Sequence, residues 1–183
     1  SMTLKLAVII GSTRPGRKGP AVAEWVAQAA RAQGGFEVDL LDLAEFDLPL
    51  LDEAAHPVMA KYEHAHTKRW SAAIAAADAF VFVTPEYDYF APAALVNAVQ
   101  CLHREWRYKA AAVVSYGGVS GGLRSAQVLR GLVGNIGMMA IPQGVPLPFF
   151  ANHIGEDGVF IANAKMDEGA GLMFTELAKW SGA

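Results

Sequence analysis

The chain has 183 residues, enough for one domain with a sizeable core, and 53% hydrophobic against 18% charged residues excludes a disordered chain. A net charge of −3 without a basic excess excludes nucleic acid as an expected partner, and no apolar run reaches the roughly 18 residues of a membrane span. One cysteine, Cys101, excludes a disulfide framework and a cysteine metal cluster; with no visible signal peptide, the expected setting is cytoplasmic. Ser1 ahead of Met2 reads as a cloning remnant.

Leu4 to Ile10 is apolar and partly β-branched, and predicts a central strand buried on both faces. From Pro20 the spacing turns helical, with Val22, Trp25, Val26 and Ala29 on one face; Gly34-Gly35 ends that helix. Phe36 to Leu43 predicts a second strand, whose Glu37, Asp39 and Asp42 make it wetter and place it at a sheet edge. Asp47 to Pro57 is irregular, broken by Pro49 and Pro57. A second helix is predicted over Val58–Ala77, then a buried strand over Phe80–Thr84, a loop over Pro85–Pro92 and a helix over Ala93–His103. Ala111–Ser115 predicts a fourth strand, Tyr116–Gly122 a glycine-rich loop and Leu123–Ile136 a helix. Met138–Ile141 with Val145 forms the fifth strand region. Pro146–Phe150 interrupts regular structure, and a last helix covers Glu168–Trp180.

Strands alternate with helices along the whole chain, with no repeat or linker, so one domain over 1–183 is expected. Parallel strands need crossovers, and helices supply them. The predicted fold is therefore α/β, a flavodoxin-like three-layer sandwich. Its five-stranded parallel sheet has the order 2-1-3-4-5, with helices on both faces. Ligands in such sheets bind beyond the carboxyl ends of the strands, where the loops after strands 1, 3 and 4 emerge.

The loop after strand 1, Gly11-Ser12-Thr13-Arg14-Pro15-Gly16-Arg17-Lys18-Gly19-Pro20-Ala21, holds three basic residues and no acid. Its hydroxyls, its glycines and the free N–H groups of the following helix make an anion site, and a phosphate is the natural fit. One helix terminus contributes only about 0.3–1 kcal/mol to holding a charge, so side-chain donors must supply most of the grip. Neither the triphosphate pattern Gly-x-x-x-x-Gly-Lys-Ser/Thr nor the dinucleotide pattern Gly-x-Gly-x-x-Gly is present after strand 1. A solvated basic turn is the competing reading.

Gly11-Ser12-Thr13-Arg14 and the basic turn behind it resemble the phosphate loop of the NADPH-dependent FMN reductase family, which includes flavodoxin-like quinone, azo-dye and chromate reductases. The family follows Gly-Ser-x-Arg with a serine; here Gly19-Pro20 stands near that place. Pro85-Glu86-Tyr87-Asp88, followed by Tyr89, is similar to the family's flavin-ring signature Pro-Glu-Tyr-Asn. Asp88 replaces an amide donor by a carboxylate, which donates only when protonated. Ser115-Tyr116-Gly117-Gly118, closing on Gly121-Gly122, is similar to the third flavin loop. The resemblance spans roughly residues 4–150.

It implies a non-covalent FMN, with its phosphate on Ser12, Arg14 and Lys18 and a cofactor site that also takes in Gly11, Thr13, Arg17, Gly19, Pro20 and Ala21. The ring would lie between Pro85–Tyr89 and the glycine loop. NADPH or NADH would be the co-substrate, and a quinone-, azo- or metal-oxyanion-type acceptor or free flavin would take the hydride in a ping-pong cycle. The flavin carries that chemistry, so no catalytic side chain is named. The resemblance also implies a homodimer or homotetramer, with the helix 93–103 and Arg104-Glu105-Trp106 as the candidate interface.

A flavodoxin-type electron carrier is the alternative. Its phosphate loop is hydroxyl-rich and its surface strongly acidic, unlike this chain. A receiver domain would want acids after strand 1. Trp106, Tyr108, Phe149, Phe150 and Trp180 fit core or interface, and Tyr87, Tyr89 and Phe90 fit a ligand wall or the core. Cys101 reads as buried and apolar. The five histidines are scattered; a helix over 58–77 turns His64 and His66 to different sides, so no metal pair is predicted. Ser115 lacks a nucleophile elbow.

Overall fold

Leu4–Ile10, apolar but for Lys5, forms strand β1, and from Leu6 onward every residue is buried. In the computed structural model, which describes residues 2–183 and so leaves Ser1 outside, β1 lies between β2 (Phe36–Asp42) and β3 (Ala79–Pro85), parallel to both. Strand β4 (Ala110–Tyr116) pairs in parallel with β3, and the sheet order is β2-β1-β3-β4-β5. This is the 2-1-3-4-5 order expected from the alternation of elements. β2 is the edge strand.

Period-2 alternation divides the core between the two faces of the sheet. Val8, Ile10, Val81 and Val83 pack against α1 (Gly19–Gln33) and α6 (Ala164–Ser181). Ala7, Ile9, Phe80 and Phe82 face α3 (Ala65–Ala75), α4 (Ala93–Gln100) and α5 (Leu123–Asn135). Trp106, offered as an interface residue by the sequence, is fully buried against Phe80 and Phe82, and Glu105 is buried as well. Tyr108, Phe149 and Trp180 are exposed. Cys101 is buried, and burial pushes its thiol up to about 11. No helix among the described residues is long and apolar enough to cross a membrane.

Five features differ from expectation. The helix predicted from Val58 starts at Ala65: Pro57–Met59 is a single 3-10 turn, and Ala60 at φ 49° is left-handed and stops it. A short helix, α2 (Leu43–Phe46), follows β2 directly because Asp42 accepts from the Ala44 N–H and caps it. The fifth strand is two pieces, β5 (Met139–Ala140) and β6 (Val145–Leu147), each parallel to β4. Between them Gly144 passes so close to β4 that a Cβ would sit 2.9 Å from the Val113 carbonyl oxygen. Pro146, expected to break structure, lies within β6, at the sheet's margin where a missing donor is tolerated. Helix α6 begins four residues early, capped by Asn163, which accepts from the Met166 N–H.

Helix α5 has no cap of its own, because Gly122 occupies the N-cap. Glu86, from the loop after β3, does that work across the sheet. One carboxylate oxygen accepts from the backbone N–H groups of Arg124 (3.0 Å) and Ser125 (3.3 Å), and the other from Arg124 Nε (2.9 Å). Burial raises the Glu86 carboxyl, but the Arg124 guanidinium and these N–H donors outweigh it and hold it below the usual range. A depressed carboxylate stabilises the fold above its unfolded value of about 4.3, and that stability is lost as pH falls through the folded value. Glu86→Gln is therefore expected to lower stability by roughly 1–2 kcal/mol at pH 7. In urea titrations the gap from wild type should close below about pH 4, and a pH-independent gap would contradict the cap.

Candidate functional site

The loops leaving β1, β3 and β4 meet at the carboxyl edge of the sheet, joined by the segment after β6. They enclose a cleft of about 270 Å³, lined by Ser12, Arg14, Gly16, Arg17, Lys18, Pro85, Glu86, Tyr87, Tyr116, Gly117 and Phe150. Residues from all three sequence-predicted loops share one hollow.

Its basic end is the start of α1. No side chain caps this helix, and its first turn holds no acid. Exposed Arg14 and Lys18 have no ion pair among the described residues. Arg17 is different. Its guanidinium grips both Asp42 carboxylate oxygens, at 2.5 and 2.6 Å, and donates to the Ser12 carbonyl oxygen at 2.8 Å. The hydrogen bond from Arg17 holds the Asp42 carboxyl below its usual range against the effect of burial. The loop that carries no acid in sequence thus has one supplied by the end of β2, where Asp42 is in register with Ile10. Arg17 fixes the loop backbone, leaving Arg14 and Lys18 as its free cations.

Two loop glycines serve close packing rather than approach to a ligand. A Cβ on Gly11 would meet Leu95 Cδ2 at 2.8 Å, and one on Gly19 would meet the Tyr116 hydroxyl at 2.8 Å. Gly16, at φ 72°, makes the turn. Thr13 lies toward a separate hollow with Leu43 and Ala94. Pro20 sits in the first turn of α1, and half-buried Ala21 packs on the core.

The other end of the cleft is aromatic. Tyr87 and Ser12 share a 2.6 Å hydrogen bond between hydroxyls, which ties the loops after β3 and β1. Tyr116 is buried, and Phe150 packs on it with ring centroids 4.7 Å apart. Burial pushes the Tyr116 hydroxyl well up, so it stays protonated. Residues 87–90 form a tight hairpin: Tyr87 and Phe90 exchange backbone hydrogen bonds of 2.9 and 3.1 Å, with Asp88 at φ 49° and Tyr89 at φ 80°. Both central residues are left-handed, as in a type I′ turn, yet neither is glycine. Tyr89 and Phe90 stay exposed, and the Arg124 guanidinium lies 5.3 Å above the Tyr89 ring. Asp88 is exposed as well.

In the third loop, Gly117 lines the cleft, while Ser115, Gly121 and Gly122 build the loop itself. Buried Ser115 donates to the Gly121 carbonyl at 2.8 Å, and the Gly121 N–H is engaged with the Gly118 carbonyl at 3.1 Å. Gly118 also accepts from the Phe149 N–H at 3.0 Å, drawing the segment after β6 over the loop. A Cβ on Gly122 would lie 2.7 Å from the Tyr116 carbonyl oxygen.

Sequence reasoning missed Asp42, Arg124 and the placement of Phe150. For Asp42 the signal was its place at the carboxyl end of an edge strand. For Phe150 it was the strand ending three residues earlier. Arg124 carried no local signal.

The family model for NADPH-dependent FMN reductases matches residues 4–152, which is most of the chain and includes every cleft residue. The chain is 38% identical over 172 residues to an NAD(P)H-dependent FMN reductase of Schizosaccharomyces pombe, covering 85% of this chain and 86% of that one. It is 32% identical over 137 residues to a probable NADPH:quinone oxidoreductase of Oryza sativa, covering 69% of this chain and 63% of the relative. Among solved structures, the flavoenzyme NAD(P)H:(acceptor) oxidoreductase FerB of Paracoccus denitrificans superposes with a TM-score of 0.80 at 22% identity, over 98% of this chain and 97% of that one, a likeness of fold. The uncapped basic helix start, the aromatic wall beside it and the sequence match converge: the chain belongs to the NADPH-dependent FMN reductase family, oxidoreductases that work with FMN and NAD(P)H.

Proposed function

We propose that this member moves reducing equivalents from NAD(P)H to a small-molecule acceptor at the cleft between Arg14 and Phe150, within one FMN-binding domain spanning the chain. The observation that carries this is the meeting of an uncapped, acid-free helix start with an aromatic wall in one cleft. The donor set fits FMN. Arg14, Lys18 and the Gly19 N–H that opens α1 suit a phosphate dianion, while Pro20 has no N–H and Ala21 donates to the Lys18 carbonyl; Pro85, Tyr87, Gly117 and Phe150 offer the flat apolar surfaces a ring system needs. FMN held by Arg14, Lys18 and the aromatic wall would supply the chemistry, hydride uptake from NAD(P)H and delivery to an acceptor in a ping-pong cycle.

The protein's part is to bind, orient and exclude water. The Ser12–Tyr87 hydroxyl pair can take Tyr87 as its donor, which leaves the Ser12 O–H for a phosphate oxygen. Tyr116 stays neutral beneath the loop and adds no negative charge beside the phosphate. Arg17, through Asp42 and the Ser12 carbonyl, holds the loop in its binding shape before any ligand arrives. Quinone-, azo- and metal-oxyanion-type acceptors or free flavin fit an open cleft, and the rice relative's name favours quinones. Family membership sets aside the electron-carrier alternative. With Trp106 in the core, the exposed aromatics Phe90 and Phe149, both beyond the carboxyl ends of the strands, replace it as the proposed contact of a homodimer or homotetramer. A cytoplasmic setting is proposed from the single free thiol.

Protein loaded with FMN should show flavin absorbance, bleach on anaerobic NADPH and regain colour when a quinone is added; flavin that stays oxidised under NADPH would overturn this reading. Arg14→Ala is expected to raise the FMN Kd about 10–100-fold, the loss of one charge-assisted hydrogen bond to the phosphate. Arg17→Ala and Asp42→Asn should each weaken binding, and the double variant should be no weaker than Arg17→Ala alone. Additive losses in the double variant would show that Arg17 meets the phosphate directly.

A further inference from the structure

The segment after α2 and the first turn of α3 gather three metal-ligating side chains, Asp52, Glu53 and His66, outside the cleft, with His64 beside them. Because α3 starts at Ala65, His64 is its N-cap and lies off the helical spiral, with no capping hydrogen bond from its side chain. The His64 and His66 rings stack, their centroids 5.1 Å apart and their planes within 10°. A helix running through both residues would have separated them; the observed boundary removes that separation. Both rings turn Nε2 toward Asp52. His66 Nε2 is 3.0 Å from Asp52 Oδ1, while His64 Nε2 is 3.2 Å from the Asp52 carbonyl oxygen and 3.8 Å from Asp52 Oδ2. Ligand atoms of Asp52, Glu53 and His66 all lie within 4.8 Å of one another.

Glu53 is held in place by its own donors. One oxygen accepts from the Glu63 N–H at 2.6 Å, and the other from the Thr67 hydroxyl at 2.7 Å and the His64 N–H at 3.2 Å. The first oxygen keeps a lone pair. A carboxylate oriented by three hydrogen bonds is the kind of outer support that metal ligands have. Tetrahedral ligands at 2.0–2.1 Å from an ion are about 3.3 Å apart, close to the 3.0 Å separation of His66 Nε2 and Asp52 Oδ1. Two carboxylates balance a divalent charge, and imidazole mixed with carboxylate suits zinc-like ions over magnesium or calcium.

We propose that Asp52, Glu53 and His66 bind one divalent ion of the zinc class, with His64 stacked on His66 as its support. The ion joins Asp52 and Glu53, in the irregular segment, to the start of α3, closing a loop of the chain that carries the exposed apolar residues Val58 and Met59. It stands apart from the cleft, and its test does not depend on the FMN reading.

The test uses the full chain, stripped with a chelator and titrated with Zn2+ in competition with a chromophoric chelator at pH 7.5. One Zn2+ per chain is expected. His66→Ala and Asp52→Asn should each weaken binding about 10–100-fold, and His153→Ala, on a different part of the surface, should leave it unchanged. Zn2+ should raise the thermal midpoint of wild type but not of His66→Ala, and Mg2+ should do neither. Equal Zn2+ affinity in wild type and the His64→Ala/His66→Ala double variant would overturn the proposal. It would show that the cluster is only a pair of histidine–aspartate contacts.

Discussion

Every strand of this sheet runs in the same direction, and that constraint gathers the site. A parallel pair cannot be closed by a hairpin, so each strand must release its chain at one edge and recover it from the other. The loops after β1, β3, β4 and β6 therefore share an edge whatever their sequences. With that placement set by the backbone, the loops need only supply chemistry: cations and a free helix start from the first, aromatics from the second, glycines from the third, and Phe150 from the last.

The elements read most readily from the sequence were those whose signal is local. β1, β3 and β4 are unbroken apolar runs, and α1 is bracketed by Pro20 and Gly34. Where expectation failed, the deciding partner was distant or the deciding torsion invisible. The Val58 helix was lost to a left-handed Ala60, a conformation that alanine gives no warning of. The split of the fifth strand comes from Gly144 pressing on Val113, 31 positions away in sequence.

The cleft follows the same division. Its loops were legible as motifs, but the partners inside them were not. Arg17 has the same charge and neighbourhood in sequence as Arg14, yet Asp42 engages one and leaves the other open. Nothing within the loop distinguishes them. Glu86 reads as part of a flavin-ring signature, while its carboxylate caps α5 and pairs with Arg124. Gly11 and Gly19 look like space left for a ligand, and in the fold that space is filled by Leu95 and the Tyr116 hydroxyl.

The hairpin at 87–90 has a consequence for the cleft's mobility. A turn of this shape built from asparagine and glycine forms readily by itself, whereas Asp88 and Tyr89 enter it against their own torsional preference. Its closed form is held by what docks onto it: two backbone hydrogen bonds, the Ser12 hydroxyl on Tyr87 and the Arg124 guanidinium over Tyr89. Local opening of this wall therefore releases torsional energy that opening of the sheet does not. The aromatic side of the cleft is thus held from outside itself, by Ser12 and Arg124, while the strands beneath are held by their own ladders.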